Sequence, residues 1–89
     1  IRDEEGAKAQ FMLGECYLEQ REYDKAIIEF AKVEFLYKFP QWQSKAAYDM
    51  AKALLRKGNR DGARNTLERL IKTYPNALEA IFEDKELER

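Results

Sequence analysis

The chain has 89 residues, 45% hydrophobic and 37% charged, which indicates one small globular domain. Its 16 lysine and arginine residues nearly balance its 17 aspartate and glutamate residues, which argues against a nucleic-acid or anionic membrane partner. The absence of histidine and the single cysteine remove the commonest general base, the commonest zinc ligand and an internal disulfide.

Two helices are predicted first, because apolar residues recur at intervals of three and four. The first helix carries Phe11, Leu13, Gly14, Tyr17 and Leu18 and ends in the polar stretch EQRE. The second carries Tyr23, Ala26, Ile27, Phe30, Val33 and Tyr37. Pro40 ends it, since a residue that precedes proline is pushed out of helical conformation.

Two more helices follow at the same spacing. The third carries Ala47, Met50, Ala51, Leu54 and Leu55. It stops at KGNRDG, where Gly58 suits a left-handed cap. The fourth carries Ala63, Leu67, Leu70, Ile71 and Tyr74 and stops at Pro75. A fifth, more polar helix is predicted over 77–89, and no stretch alternates at period two, so the expected fold class is all-α.

A shift of 37 residues aligns the two helix pairs without a gap. Positions matched in size class are Phe11/Tyr48, Leu13/Met50, Gly14/Ala51, Tyr17/Leu54, Ala26/Ala63, Phe30/Leu67 and Val33/Leu70. The positions of Gly14 and Ala26 hold small residues in both units, and helices approach most closely where both partners are small. We therefore expect Gly14 to face Ala26 at a helix crossing, with Leu13 packed beside it.

This order of residues resembles the tetratricopeptide repeat (TPR), with a large and a small residue, an aromatic three positions on, then A-x-x-x-F and a late proline. The first unit matches with Leu13, Gly14, Tyr17, Ala26 and Phe30. The early tryptophan of the family is missing, because Gln10 and Ala47 stand there. The resemblance implies a right-handed α–α superhelix (a TPR solenoid), with two helix-turn-helix repeats and a C-terminal helix.

The long period, with Tyr74-Pro75 closing the second unit, resembles a bacterial cell-envelope sub-group that includes the Tol–Pal-associated periplasmic protein and outer-membrane-assembly lipoproteins. This favours a periplasmic or outer-membrane-associated location, and a cytoplasmic one stays open. We interpret 1–89 as a single TPR-like domain and a fragment of a larger protein, since it opens on Ile1. Its expected parts are repeat 1 at about 7–43, repeat 2 at about 44–76 and a capping or partial-repeat helix at about 77–89.

The last helix is expected to act as a lid on the second repeat. Its few apolar residues are Leu78, Ile81, Phe82 and Leu87. The first three are expected to cover the apolar face of Leu67, Leu70 and Ile71.

In repeats of this kind the first helix of each pair lines the concave side, where a partner binds. The candidate partner-binding residues are Lys8, Phe11, Met12, Glu15, Glu19, Lys45, Tyr48, Asp49, Lys52 and Arg56. Phe11 and Tyr48 are either aromatic anchors of a peptide groove or rings that pack between the repeats. Some relatives clamp a peptide's terminal carboxylate, but Glu15 would repel one, so no such clamp is predicted.

No convergent set of groups predicts catalysis, a metal site or a cofactor. The carboxylates at 3–5 are expected to form a solvated helix start. Cys16 is expected to be buried and inert. Trp42 is placed in the linker after Pro40, either capping the core or anchoring a partner. The third helix also carries a basic strip, which acidic residues of the preceding helix are expected to offset and which is expected to be a solvated face: Lys45, Lys52, Arg56 and Lys57.

The sequence therefore predicts a non-catalytic protein–protein interaction scaffold that binds a peptide or helix of another protein on its concave face. The alternative is a structural assembly element that self-associates through the ends of the solenoid, giving a homo-oligomer. Neither a nucleic-acid partner nor direct membrane insertion is predicted, because no apolar run approaches the ~18 residues that span a bilayer.

Overall fold

The computed structural model describes residues 2–77, which form four helices. These are α1 (Glu4–Glu19), α2 (Tyr23–Leu36), α3 (Pro40–Lys57) and α4 (Arg60–Thr73). No strand forms within 2–77, and the all-α prediction is confirmed. The predicted lid, with its residues Leu78, Ile81 and Phe82, lies outside the described residues.

Helices α1 and α4 begin where a side chain satisfies a free backbone N–H group. The Asp3 carboxylate accepts a hydrogen bond from the backbone N–H of Gly6 at 2.8 Å. Glu4 in the first turn lies beside the positive end of the helix dipole, so the predicted solvated helix start at 3–5 is confirmed. Asn59 caps α4 by accepting from the N–H of Gly62, also at 2.8 Å.

The connection between the helix pairs is shorter than the sequence predicted. Helix α2 ends at Leu36, and Phe39 is extended, with φ −122° and ψ 97°, because the following proline excludes helical conformation. Pro40 is the first residue of α3, a position where its missing N–H costs no hydrogen bond. The placement of Trp42 in a linker is therefore wrong, since Trp42 lies in the first turn of α3.

Helix α3 ends at Gly58, whose φ of 98° is left-handed and whose N–H donates to the Leu55 carbonyl at 3.0 Å. We expect Gly58→Ala to lower the free energy of unfolding by about 1 kcal/mol, because a β-carbon disfavours this conformation. Gly58→Asn is expected to lose less, since asparagine tolerates it better. Urea denaturation compares the variants, and an alanine variant as stable as the wild type would refute this role of the glycine.

The core joins the two helix pairs. Helix α2 packs on α1 and α3, helix α4 packs on α3, and α1 also contacts α3. The buried cluster consists of Phe11, Leu18, Ala26, Phe30, Val33, Ala46, Met50 and Ala53. Small residues of α3 thus meet large residues of the first pair, so α3 fills the groove between α1 and α2.

Gly14 is buried at a close approach of two helices, but its partner differs from the prediction. A β-carbon on Gly14 would lie 2.6 Å from Cε1 and 2.8 Å from Cδ1 of Phe30, and the three nearest atoms all belong to that ring. Ala26, the expected partner, is fully buried in the same core, one helical turn before Phe30 on α2. The glycine therefore makes room for an aromatic ring of the facing helix rather than for a second small residue.

The outer side of α1 is more exposed than the sequence predicted. Leu13, expected to pack at the crossing, is 41% exposed, and Cys16, expected to be buried, is exposed as well. Their counterparts at the shift of 37, Met50 and Ala53, are buried because α3 packs on α2. Both predictions were wrong because no described helix covers this side of α1.

A buried ion pair links α2 to α4. Glu34 is 3% exposed and pairs with Arg69, whose guanidinium lies 5.1 Å from the centre of the Phe35 ring. The backbone carbonyl of Glu34 also accepts a hydrogen bond from Gln43 Nε2 at 2.8 Å. The sequence analysis did not foresee this link between the helix pairs.

Candidate partner-binding face

Most of the predicted partner-binding residues come together where α1 meets α3. The charges of Glu19, Lys45, Asp49 and Lys52 all lie close enough to Glu15 to shift its pKa. We call these five residues, together with Tyr48, the α1–α3 face. The Lys52 ammonium lies 3.7 Å from the Asp49 carboxylate and 5.8 Å from the centre of the Tyr48 ring.

The pKa of the Glu15 carboxyl is raised above its ordinary value of 4.5, first by partial burial and then by the negative charge of Asp49. Lys52 and Lys45 lower it, whereas Glu19 raises it. Glu15 therefore lies among charges of both signs, with the carboxylates of Asp49 and Glu19 raising its pKa. A basic group supplied by a partner would relieve this crowding of carboxylates.

We expect Glu15→Gln to raise the free energy of unfolding at pH 7. The pKa of Glu15 is raised in the folded state, so between pH 4.5 and the folded pKa the folded protein binds more protons than the unfolded chain. The stability of the wild type therefore falls as the pH rises through that window. Below 4.5 both states are protonated, so the advantage of glutamine disappears in acid. Urea denaturation at pH 7 and near pH 3.5 measures this, and a variant less stable than the wild type at pH 7 would contradict it.

The remaining predicted residues differ in exposure. Lys8, Met12 and Arg56 are exposed, Met12 at 54%. Met12 lies one helical turn before Glu15 and extends the face along α1. Asp49 is only 8% exposed, so it acts on the face through its charge more than through direct contact with a partner.

Phe11 belongs to the core, and its interpretation as a groove anchor is wrong. It is 7% exposed, and its ring centre lies 5.6 Å from that of Phe30 and 5.5 Å from that of Trp42. Trp42 is half-buried against this cluster, which confirms that it caps the core. Its indole N–H donates to Glu4 Oε1 at 3.2 Å, and the Lys45 ammonium lies 5.1 Å from the indole ring centre.

A second surface, which the sequence did not indicate as a site, is an open groove of about 680 Å³ between α3 and α4. We call it the α3–α4 groove, and its apolar lining consists of Tyr48, Ala51, Leu55, Ala63, Leu67 and Ile71. Leu55, Leu67 and Ile71 are 56%, 36% and 53% exposed. The shift of 37 could have revealed it, because α3 fills the equivalent groove of the first pair.

Residues 2–77 contain no group of three or more histidine, cysteine, aspartate or glutamate side chains that could hold a metal ion. Over the same range, no helix combines the length and the apolar character needed to cross a membrane. In the basic strip of α3, Lys57 pairs with Asp24 of the preceding helix, as predicted, whereas Lys52 pairs with Asp49 of α3 itself.

Two helix pairs related by a shift of 37, with a mixed-charge face on their first helices, define a TPR-like helical repeat protein. Residues 3–82 match the family model described as outer membrane lipoprotein, YfiO. The chain belongs to this family, and its predicted resemblance to the cell-envelope type of TPR protein is confirmed. No curated protein and no solved structure matches the chain significantly.

Membership of this family favours a periplasmic or outer-membrane-associated location, as the sequence predicted. It also indicates a protein-interaction role in outer-membrane assembly, with other proteins as partners. The family is generally non-catalytic.

Proposed function

We propose that the chain is a non-catalytic scaffold whose α1–α3 face, the predicted concave side, binds a peptide or a helix of another protein. The observation that supports this most directly is the cluster of charges around Glu15, which draws on both helix pairs. A ligand lying across α1 and α3 would contact both repeats at once. Tyr48 offers it an amphipathic aromatic surface beside Lys52.

The charges of the face indicate what kind of segment it accepts. The Asp49 and Glu19 carboxylates beside Glu15 disfavour a terminal carboxylate at that point of the face and favour a lysine or arginine of the partner. We therefore propose an internal or helical segment with a basic residue opposite Glu15 and an apolar residue against Met12.

The predicted division of the chain is part of this proposal. Repeat 1 at about 7–43 contains most of α1 and all of α2, and repeat 2 at about 44–76 contains most of α3 and all of α4. Pro40 starts α3, so the structural break between the helix pairs falls a few residues before residue 44.

The test is capture of envelope proteins from the source bacterium on the immobilised chain, quantified by mass spectrometry. The variant Glu15→Lys reverses the charge at the centre of the face and leaves the α3–α4 groove untouched. Ile28→Glu is the control, because Ile28 is exposed on α2. Proteins lost with the first variant and retained with the second support the proposal, and a captured set that both variants leave unchanged refutes it.

Self-association through the ends of the solenoid is a second candidate function. It is supported by the exposure of large apolar residues at both ends of the helix array. Leu13 on α1 is 41% exposed, and Leu67 and Ile71 on α4 are 36% and 53% exposed.

A further inference from the structure

The way in which α3 packs on the first helix pair indicates what the α3–α4 groove accepts. The core residues of α3 include Ala46, Met50 and Ala53. At the shift of 37 their counterparts on α1 are Ala9, Leu13 and Cys16. Each set reads small, large, small, and the α1 set is exposed. Helix α1 thus repeats this part of the docking surface of α3, with Glu5 in place of Trp42, and no helix lies against it among the described residues.

The groove that receives such a surface also occurs twice. In the first helix pair it is lined by core residues that α3 covers, and in the second pair the counterparts line an open groove. The corresponding pairs are Phe11/Tyr48, Leu18/Leu55, Ala26/Ala63 and Phe30/Leu67. The α3–α4 groove therefore has apolar residues at the same positions as the groove that α3 fills.

We propose that α1 of a second copy docks into the α3–α4 groove, in the register that α3 adopts against α1 and α2. This inference rests on the second candidate function, self-association, and names its interface. The two contacting surfaces are different, so each pair of copies leaves one groove and one α1 surface free. Association of this kind is head-to-tail and does not stop at a dimer.

A polar contact at the existing interface fits the same register. Gln41 Nε2 of α3 donates to Glu4 Oε1 of α1. In the proposed contact, Glu4 of the docked α1 takes the position of Gln41, and Gln41 of the receiving α3 takes the position of Glu4. Gln41 of one copy would therefore meet Glu4 of the next, and the amide–carboxylate pair is preserved with its donor and acceptor exchanged.

Other polar contacts of the interface are lost, so the association should be weaker than packing within the chain. Lys57 of α3 pairs with Asp24 of α2. At the proposed interface, Gln20 of the docked α1 replaces the lysine and Asp61 of the receiving α4 replaces the aspartate. The carboxylate is therefore kept and the cation is lost. Ile71 of α4 stands at the position of Glu34, so the buried ion pair of Glu34 with Arg69 has no counterpart either. An interface that lacks these polar contacts is expected to be weak and concentration-dependent.

The chain's own residues 78–89 are a poorer occupant of the groove in this register. The shift of 37 places Glu83 at the position of Ala46, whereas both this segment and α1 have a glutamate, Glu79 and Glu5, at the position of Trp42. Burying carboxylates against an apolar groove is costly, whereas α1 presents Ala9 at the position of Ala46. The comparison therefore favours α1 of a second copy.

Sedimentation velocity over a concentration series tests the interface with three variants of the 89-residue chain. Leu13→Glu blocks the α1 surface, Leu67→Glu blocks the groove, and Ile28→Glu is the control, since Ile28 lies on neither surface. Circular dichroism verifies that each variant is folded. We expect the average mass of the wild type and of the control to rise past the dimer with concentration, while the Leu13 and Leu67 variants each remain monomeric.

An equimolar mixture of the Leu13 and Leu67 variants is the decisive sample. Together they retain one intact α1 surface and one intact groove, so the mixture should form a dimer and grow no further. A mixture that stays monomeric while the wild type associates overturns this interface but leaves self-association in place. A wild type that is monomeric at the highest concentration overturns both. Neither result bears on partner capture by the α1–α3 face, which the Glu15 variant tests separately, because Glu15 does not line the groove.

Discussion

Gly14→Leu will unfold or severely loosen the protein. A β-carbon alone would lie 2.6 Å from Cε1 of Phe30, and Phe30 is fully buried, so its ring has nowhere to move. Overpacking typically costs about 1–3 kcal/mol, and leucine adds three carbons beyond the one that already clashes, so we expect a loss of at least about 3 kcal/mol. A domain of this size has roughly 4–13 kcal/mol of stability in total. Thermal unfolding followed by circular dichroism measures the loss.

A double-mutant cycle identifies the cause. Gly14→Ala should destabilise the wild type, although alanine ordinarily gains about 0.5–1 kcal/mol over glycine within a helix. In a Phe30→Leu background, where the ring is absent, the same change should be neutral or stabilising. A coupling energy near zero between the two positions would show that Phe30 is not the reason for the glycine. A Gly14→Leu variant that melts close to the wild-type temperature would refute the close approach altogether.

Arg69→Met will cost about 3 kcal/mol, because it leaves the carboxylate of Glu34 buried without its cation. The side chain of Glu34 is 2% exposed and that of Arg69 is 34% exposed. Solvent therefore screens part of the pair, and we place the loss at the lower end of the range for broken buried pairs. Urea denaturation at pH 7 measures it.

The matched control replaces both partners, Glu34→Met with Arg69→Met. The pair does not satisfy the carboxylate completely, since buried Glu34 Oε1 accepts no hydrogen bond from the described residues. Removing both charges should therefore restore most of the lost stability. A double variant as unstable as Arg69→Met alone would mean that the arginine contributes mainly by packing against Phe35 and Met50.

Local sequence signals predicted much of the fold because they report local physics. Apolar spacing located all four described helices, and Gly58 marked the end of α3 by its left-handed conformation. The internal shift of 37 correctly marked Gly14 as a position where size is limited. For the site, stepping around α1 and α3 brought Glu15, Lys52 and their neighbours onto one face.

Other features depend on what packs against each helix, which spacing does not encode. Leu13 and Cys16 repeat the pattern of buried residues on α3, yet they are exposed because no described helix covers that side of α1. Pro40 predicts the end of one helix, and proline is equally well suited to be the first residue of the next, which is where it lies. The pair of Glu34 and Arg69 joins residues 35 positions apart, and a glutamate on a helix is normally exposed.

The central claim is that the protein acts by binding another protein on its α1–α3 face. The most direct test is photo-crosslinking in the envelope of the source bacterium, with the photoreactive residue placed at Met12 or, in a separate protein, at Ile28. These two positions are 54% and 55% exposed, so accessibility is matched and only the surface differs. We predict an adduct with a different protein at Met12 and none at Ile28. Equal adducts at the two positions, or none at Met12, would contradict the claim.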